Sequence, residues 1–256
     1  MTGSPNEFQI RSEAEYADAL SRFPYPLTIV HGDEALAEYE RLKAIGEGSP
    51  IVIGGASELA MVHEFYELKL EHEPLTEIVL ERAGELRFPA SLKAQIDRET
   101  ELFKRQNPGV ELEEEIPEEM IGDWPEQVDT YPFSLTAAYD VISGKPWPRT
   151  HIALIPTKDR TEIPAHLRAG GWNAVPDSAN LVAALRSWRD RYGAELVAAS
   201  HDTMLFRVQR QPTSREEALE LAREHYLFCS DALGETTLRE LAAYLIENDW
   251  WFFWWD

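Results

Sequence analysis

The stretch Trp250-Trp251-Phe252-Phe253-Trp254-Trp255-Asp256 decides how the rest of the chain is read. It can be a strand that closes a sheet or an amphipathic tail used for docking. As a strand it alternates, with Trp250, Phe252 and Trp254 on one face and Trp251, Phe253 and Trp255 on the other. Aromatics on both faces imply burial on both. Six adjacent aromatics left in water would invite aggregation, so the strand is the expectation.

Working back from it, Thr237 and Glu240 form a capping box that opens a helix carrying Leu238, Leu241, Ala242, Leu245 and Ile246. Ser214 and Glu217 form another, opening a helix that runs to about Cys229. A hairpin precedes it: 195–200, a turn at His201-Asp202, then 203–209, where Met204, Phe206 and Val208 alternate with more polar neighbours. Asn180 to Tyr192 reads as a helix burying Leu181, Ala184, Leu185 and Trp188, stopped by Gly193. Ile152-Ala153-Leu154-Ile155 is apolar on both faces, as a central strand should be. The order β-α-β-β-α-(α)-β predicts an α/β (α+β) domain over 148–256, a ferredoxin-like βαββαβ sheet with an extra helix.

Residues 1–105 alternate helix and strand as well. Ser12 with Glu15 reads as a capping box, Leu27 to Val30 as a strand, and Asp33 as the cap of a helix ended by Gly46. Ile51-Val52-Ile53 is a second strand, and Gly54-Gly55 turns the chain before a helix beginning at Ser57. Strand, helix, strand at this spacing predicts a βαβ unit with a parallel pair. Two more helices are expected near 74–82 and 90–105. Between the parts, 106–147 reads as an acidic, proline-containing linker or surface segment. From Gln106 to Gly144 there is no Lys or Arg but ten acids, among them Glu111, Glu113, Glu114, Glu115 and Asp129, together with Pro108, Pro117, Pro125 and Pro132.

Hydrophobic residues at 44% and charged residues at 27% suit a packed globular chain. The opening residues lack the basic and apolar regions of a signal peptide, and no run is long enough for a membrane helix. A single cysteine, Cys229, rules out an internal disulfide and suits a reducing compartment, so a cytoplasmic protein is expected. The formal charge of -22 argues against nucleic acid and anionic membrane as partners; it could attract a basic protein, while its plainer reading is solubility. The oligomeric state is not legible.

Several segments together carry a resemblance. They are His-Ile-Ala-Leu-Ile-Pro-Thr (151–157), Gly-Gly-Trp-Asn (170–173), Leu-Arg-Ser-Trp-Arg-Asp-Arg-Tyr-Gly-Ala-Glu (185–195), His-Asp-Thr-Met (201–204), Arg-Glu-Glu-Ala-Leu (215–219), Phe-Cys-Ser-Asp (228–231) and Phe-Trp-Trp-Asp (253–256). In this order residues 151–256 resemble the bacterial domain of unknown function 4253 family. The resemblance implies no activity.

The residues offer few anchors for chemistry. Gly54-Gly55 before a helix is a place for a phosphate, but the P-loop lysine and the third glycine of a dinucleotide fingerprint are missing. His63 and Glu67 share a helical face with His72 nearby, yet Glu67 stands where a zinc-protease helix needs its second histidine, so a surface His–Glu pair is the expectation. His225 and Cys229 are one helical turn apart and read as a satisfied histidine beside a buried small thiol. Trp172 and Asn173, following two glycines, with His201, Asp202 and His225, are the binding candidates. No catalytic residue, metal ligand or cofactor is assigned. The leading expectation is a non-enzymatic, acidic protein-binding module of immunity-like or regulatory type. The alternative is a small-molecule site or enzyme near the Gly-Gly-Trp-Asn loop.

Overall fold

The computed structural model describes residues 12–72, 74–110, 116–128 and 135–256. The opening residues 1–11, and Glu111, Glu113, Glu114, Glu115, Asp129 and Pro132 of the acidic segment, lie outside the described residues. In chain order the strands are β1 (Leu27–Val30), β2 (Ser49–Gly54), β3 (Thr150–Ile155), β4 (Glu195–Ala199), β5 (Thr203–Arg207) and β6 (Trp250–Trp254). The first helices are α1 (Glu13–Arg22), α2 (Ala35–Ile45), α3 (Ala56–Leu70), α4 (Thr76–Glu85) and α5 (Ala90–Gln106). They are followed by α6 (Glu118–Ile121), α7 (Ile163–Leu167), α8 (Ser178–Tyr192), α9 (Arg215–Phe228) and α10 (Leu238–Glu247).

The chain is a mixed α/β protein built on one six-stranded sheet of order β1-β3-β2-β4-β5-β6. Apart from the short α7, the order of helices and strands from β3 to β6 is the one the sequence predicts, but the pairing is not that of a split βαβ. β2, from the first part of the chain, lies between β3 and β4, and β6 takes the edge beside β5. The physical reason lies in β3, where Ile152, Ala153 and Ile155 are all buried. A strand apolar on both faces is stable only in mid-sheet, and β1 and β2 flank it, both antiparallel. The expected parallel pair of β1 and β2 is therefore corrected, because β3 separates them. The parallel contact of the sheet is instead β2 with β4, at Val52 and Ala198.

The edge at β6 is protected by side chains. Tyr244 donates its hydroxyl to the Trp250 carbonyl at 3.1 Å, and the Cys229 thiol donates to the Trp254 carbonyl at 3.1 Å. Acceptors that would otherwise recruit another strand are covered. The strand reading of 250–254 holds, although burial on both faces does not. Trp251, Phe253 and Trp255 are enclosed, whereas Phe252 and Trp254 remain 39% and 44% exposed. The apolar cluster on that second face, built on Tyr39, Val52, Ile152, Val197 and Leu205, reaches Trp250.

The caps explain where the helices begin and end. Ser12 with Glu15 and Thr237 with Glu240 make the two reciprocal capping boxes. Ser214 caps α9 in one direction only, because the Glu217 carboxylate accepts instead from the Thr213 N–H and hydroxyl. Asp33 does not cap α2. It lies in a short 3-10 turn, Gly32–Glu34, and accepts from the Tyr139 hydroxyl at 3.3 Å. Gly46 and Gly193 end α2 and α8 at φ 71° and 61°, in the left-handed region where glycine carries no side-chain penalty.

Candidate functional site

Four of the five binding candidates meet at the turn between β4 and β5. Trp172 lies against His201 with ring centroids 6.0 Å apart and planes within 15°, and Phe65 of α3 packs on both rings. The indole N–H of Trp172 donates to the His201 carbonyl at 3.2 Å. Asn173, at a positive φ of 47°, donates its side-chain amide to the Asp256 carbonyl. Asp202 accepts from the Ser200 hydroxyl at 2.7 Å, and its own carbonyl accepts from the Trp255 N–H at 3.0 Å. His201 Nδ1 is 3.4 Å from the Asp202 carboxylate. These bonds tie the 170–177 loop, the β4–β5 turn and the end of β6 together.

His225 does not join them. It is enclosed by Trp188, Trp251 and Phe253, at centroid distances of 5.2, 4.7 and 4.7 Å. Burial, helped by the positive charge of Arg191, lowers its pKa to about 3, so the imidazole is neutral. Its Nε2 has no hydrogen-bond partner, unlike the satisfied histidine expected from the sequence. Cys229 is buried, and desolvation pushes its thiol up to about 12. A thiol of that kind is no nucleophile near neutral pH.

The Gly54-Gly55 turn is occupied from within. A Cβ at Gly55 would lie 2.9 Å from Glu58 Oε2 and 3.0 Å from the Trp147 ring. Burial raises the Glu58 pKa, and Asp202 and Asp140 add to the rise, while hydrogen bonds from the backbone N–H groups of Glu58 and Gly55 oppose it. The start of α3, where an anion would sit, thus already carries a carboxyl group of the chain. Behind it His151 is buried with Nε2 3.0 Å from the Tyr16 hydroxyl and Nδ1 3.0 Å from the Gly54 carbonyl. This network joins α1, β2 and β3. It was not legible in the sequence, because its members are 135 and 97 residues apart.

The open polar site lies between α1 and α3, as a groove of about 490 Å³. The packing of α1 against α3 brings together Glu15, Asp18, Glu64, Glu67 and Glu71. Arg22 lies among them, 3.0 Å from Glu67 and 3.4 Å from Asp18. The His63–Glu67 pair read from the sequence is not a pair. Glu67 pairs with Arg22, and His63 Nε2 approaches Asp18 at 3.6 Å instead. Among the described residues no group of three or more His, Cys, Asp or Glu side chains is placed to hold a metal ion. Among them, too, no helix is long and apolar enough to cross a membrane.

A larger groove, about 1070 Å³, runs between α5, α9 and the 171–177 loop, with Leu92, Ile96, Val175 and Leu227 in its apolar wall. Its charged rim is partly neutralised: Lys93 bonds Asp97 at 3.0 Å, and Glu224 pairs with Arg191 while accepting from the Trp188 indole at 2.9 Å.

Residues 151–256 match the family model of a domain of unknown function, DUF4253. No curated protein and no solved structure matches the chain. The DUF4253 segment starts within β3 and contains β4, β5, β6 and the aromatic cluster around Trp188. It does not contain β2, the strand between β3 and β4, nor any residue of the acidic groove. The DUF4253 segment of this protein therefore completes its sheet with a strand from outside the segment.

Proposed function

We propose that this chain is a cytoplasmic, non-enzymatic recognition module that binds a basic protein, in an immunity-like or regulatory role. The observation that carries the reading is the α1–α3 groove, where, among the described residues, Glu15, Asp18, Glu64, Glu67 and Glu71 line the surface around Arg22. Such a surface attracts a basic partner over several ångströms and repels phosphate-bearing ones, so nucleic acid and anionic membrane are not the partners. The compartment follows from the single buried thiol, which suits reducing conditions.

The alternative of a ligand site at the Gly-Gly-Trp-Asn loop has less behind it. Trp172, Asn173 and Asp202 spend their polar atoms holding neighbouring segments. The test is binding of a basic globular protein by calorimetry at about 0.02 M and about 0.2 M salt, where an attraction between exposed charges should weaken about tenfold. Affinity indifferent to salt, or equal affinity for an acidic protein of the same size, would overturn the reading.

A further inference from the structure

We infer that the larger groove, between α5, α9 and the 171–177 loop, receives an amphipathic helix of another protein, apolar along one face and basic along both edges of that face. The groove shares no lining residue with the acidic groove between α1 and α3, so this inference goes beyond the function proposed above and does not rest on it. A helix docks in this way by laying side chains at i, i+3 or i+4, and i+7 into an apolar channel.

The channel is built on α5, which spans 17 residues but buries only Leu92. Leu92, Ile96 and Phe103 recur at helical spacing, yet Ile96 and Phe103 are 37% and 46% exposed. Helices in proteins draw most of their stability from packing an apolar face, and that of α5 is largely bare. α9 supplies the facing wall with Tyr226 and Leu227, while Val175 and Met120 complete the apolar lining. The walls run from Leu92 to Glu99 on α5 and from Glu220 to Leu227 on α9, about 10 Å of each helix. That length takes the side chains at i, i+4 and i+7 of a docked helix. At about 1070 Å³ the space exceeds the roughly 300–1,000 Å³ of clefts that enclose small molecules. Phe103 carries the apolar face of α5 a further turn beyond it.

Charge narrows the kind of helix. The rim holds Asp97, Glu99, Asp177, Glu220 and Glu224 against Lys93 and Arg223. Lys93 neutralises Asp97, and Arg82 and Arg191 pair with Asp177 and Glu224. Glu99 on the α5 side accepts from the neutral Gln95 amide at 2.9 Å, and Glu220 stands on the α9 side. Among the described residues neither has an ion-pair partner, and of the two rim cations it is Arg223 that has none. One uncompensated carboxylate on each wall, against one cation, matches lysine or arginine on both edges of an apolar stripe. The same arrangement opposes an anionic ligand or an acidic helix.

The experiment titrates the full chain into three labelled, blocked peptides of about 14 residues, roughly 21 Å as a helix, and follows fluorescence anisotropy. The first places leucines at i, i+4, i+7 and i+11 among lysines and alanines. The second has the same composition with the leucines scattered round the helix, and the third replaces the lysines by glutamates. The first should bind saturably and at least about tenfold more tightly than either of the others. Ile96→Gln/Phe103→Gln should weaken it about tenfold, and Glu99→Gln/Glu220→Gln about threefold. Leu20→Gln/Ile29→Gln, a pair of similar exposure on α1 and β1, should change it less than about twofold. Each variant is compared at a temperature where circular dichroism shows it as folded as the parent. Absence of binding by the first peptide, equal binding of the scattered or glutamate peptide, or equal losses from the two apolar pairs would overturn the inference. Saturable binding of decanoate in place of the peptide would assign the groove to a small amphiphile. Concentration-dependent dimerisation abolished by Ile96→Gln/Phe103→Gln would assign it to a second copy of the chain, and either outcome overturns the docked helix.

Discussion

The aromatic cluster around Trp188 and the acidic groove between α1 and α3 treat polar groups in opposite ways. In the cluster, Trp188, Phe206, Phe228, Trp251 and Phe253 close over His225, whose Nε2 is left without a partner, as is Trp251 Nε1. In the groove the carboxylates stay at the surface, and Arg22 meets only two of them within 4 Å. The cluster derives its strength from excluded water and close ring packing, and it tolerates an unpaired imidazole only because that imidazole is neutral. The groove adds little to stability, since water screens its charges. The cluster is suited to holding the sheet together, and recognition is the role proposed for the groove.

The largest effect that could break this contrast is at Trp188. Replacing it by alanine removes a fully buried indole that touches five aromatic neighbours, and the change should cost about 3–5 kcal/mol in denaturant unfolding. A loss under about 1 kcal/mol would show that the cluster is not the stabilising centre.

His225 sharpens the comparison through pH. Its folded pKa, about 3, lies below the ordinary 6.5, so the unfolded chain takes up a proton first as pH falls. Stability from this residue is full above pH 6.5 and is lost towards pH 3, by about 1.4 kcal/mol per unit. H225F should flatten that acid limb, although a slope of the same sign persists from His151, also lowered by burial. Unfolding curves of the two proteins at pH 4, 5 and 7 check this, and parallel slopes would sink it.

Tyr39 tests a third kind of site, a charged network that is half-buried. Its hydroxyl donates to Glu195 and accepts from Arg160, each at 2.7 Å. Burial pushes the Glu195 carboxyl up, but Lys43, Tyr39 and Arg160 outweigh it and hold the pKa below the usual range. Y39F should cost about 1–2 kcal/mol by chemical denaturation at neutral pH, less than W188A and more than any groove substitution. The smallest effect belongs to the groove, where E64Q/E71Q should change stability by no more than about 0.5 kcal/mol. A destabilisation above about 2 kcal/mol would make these carboxylates structural and end the contrast.

Much of this was legible along the chain. Ser12 and Thr237 announce helices because a hydroxyl three residues before a glutamate satisfies both ends of a local bond. Gly46 and Gly193 announce helix ends for an equally local reason. Trp172, Asn173, His201 and Asp202, binding candidates by sequence, come together in the structure, where their bonds join segments. α8 begins at Ser178 behind an Asp177 cap, earlier than the start expected at Asn180, and the five-residue α7 is too short to show a helical period. The groove was invisible, because residues 15–22 and 60–72 meet only through helix packing. Pairing His63 with Glu67 by helical spacing gave the right helix and the wrong partners.

By itself the sequence determined most of the elements: six strands and the longer helices follow from periodicity, caps and turns, which act within a few residues. It also determined that 250–254 is a strand, since six adjacent aromatics are otherwise too costly in water. The tertiary structure alone decided that β2 enters between β3 and β4, that Phe252 and Trp254 stay partly exposed, and that the acids of α1 and α3 face one another. Each of these depends on contacts between segments far apart in the chain, which local patterns bound but do not specify.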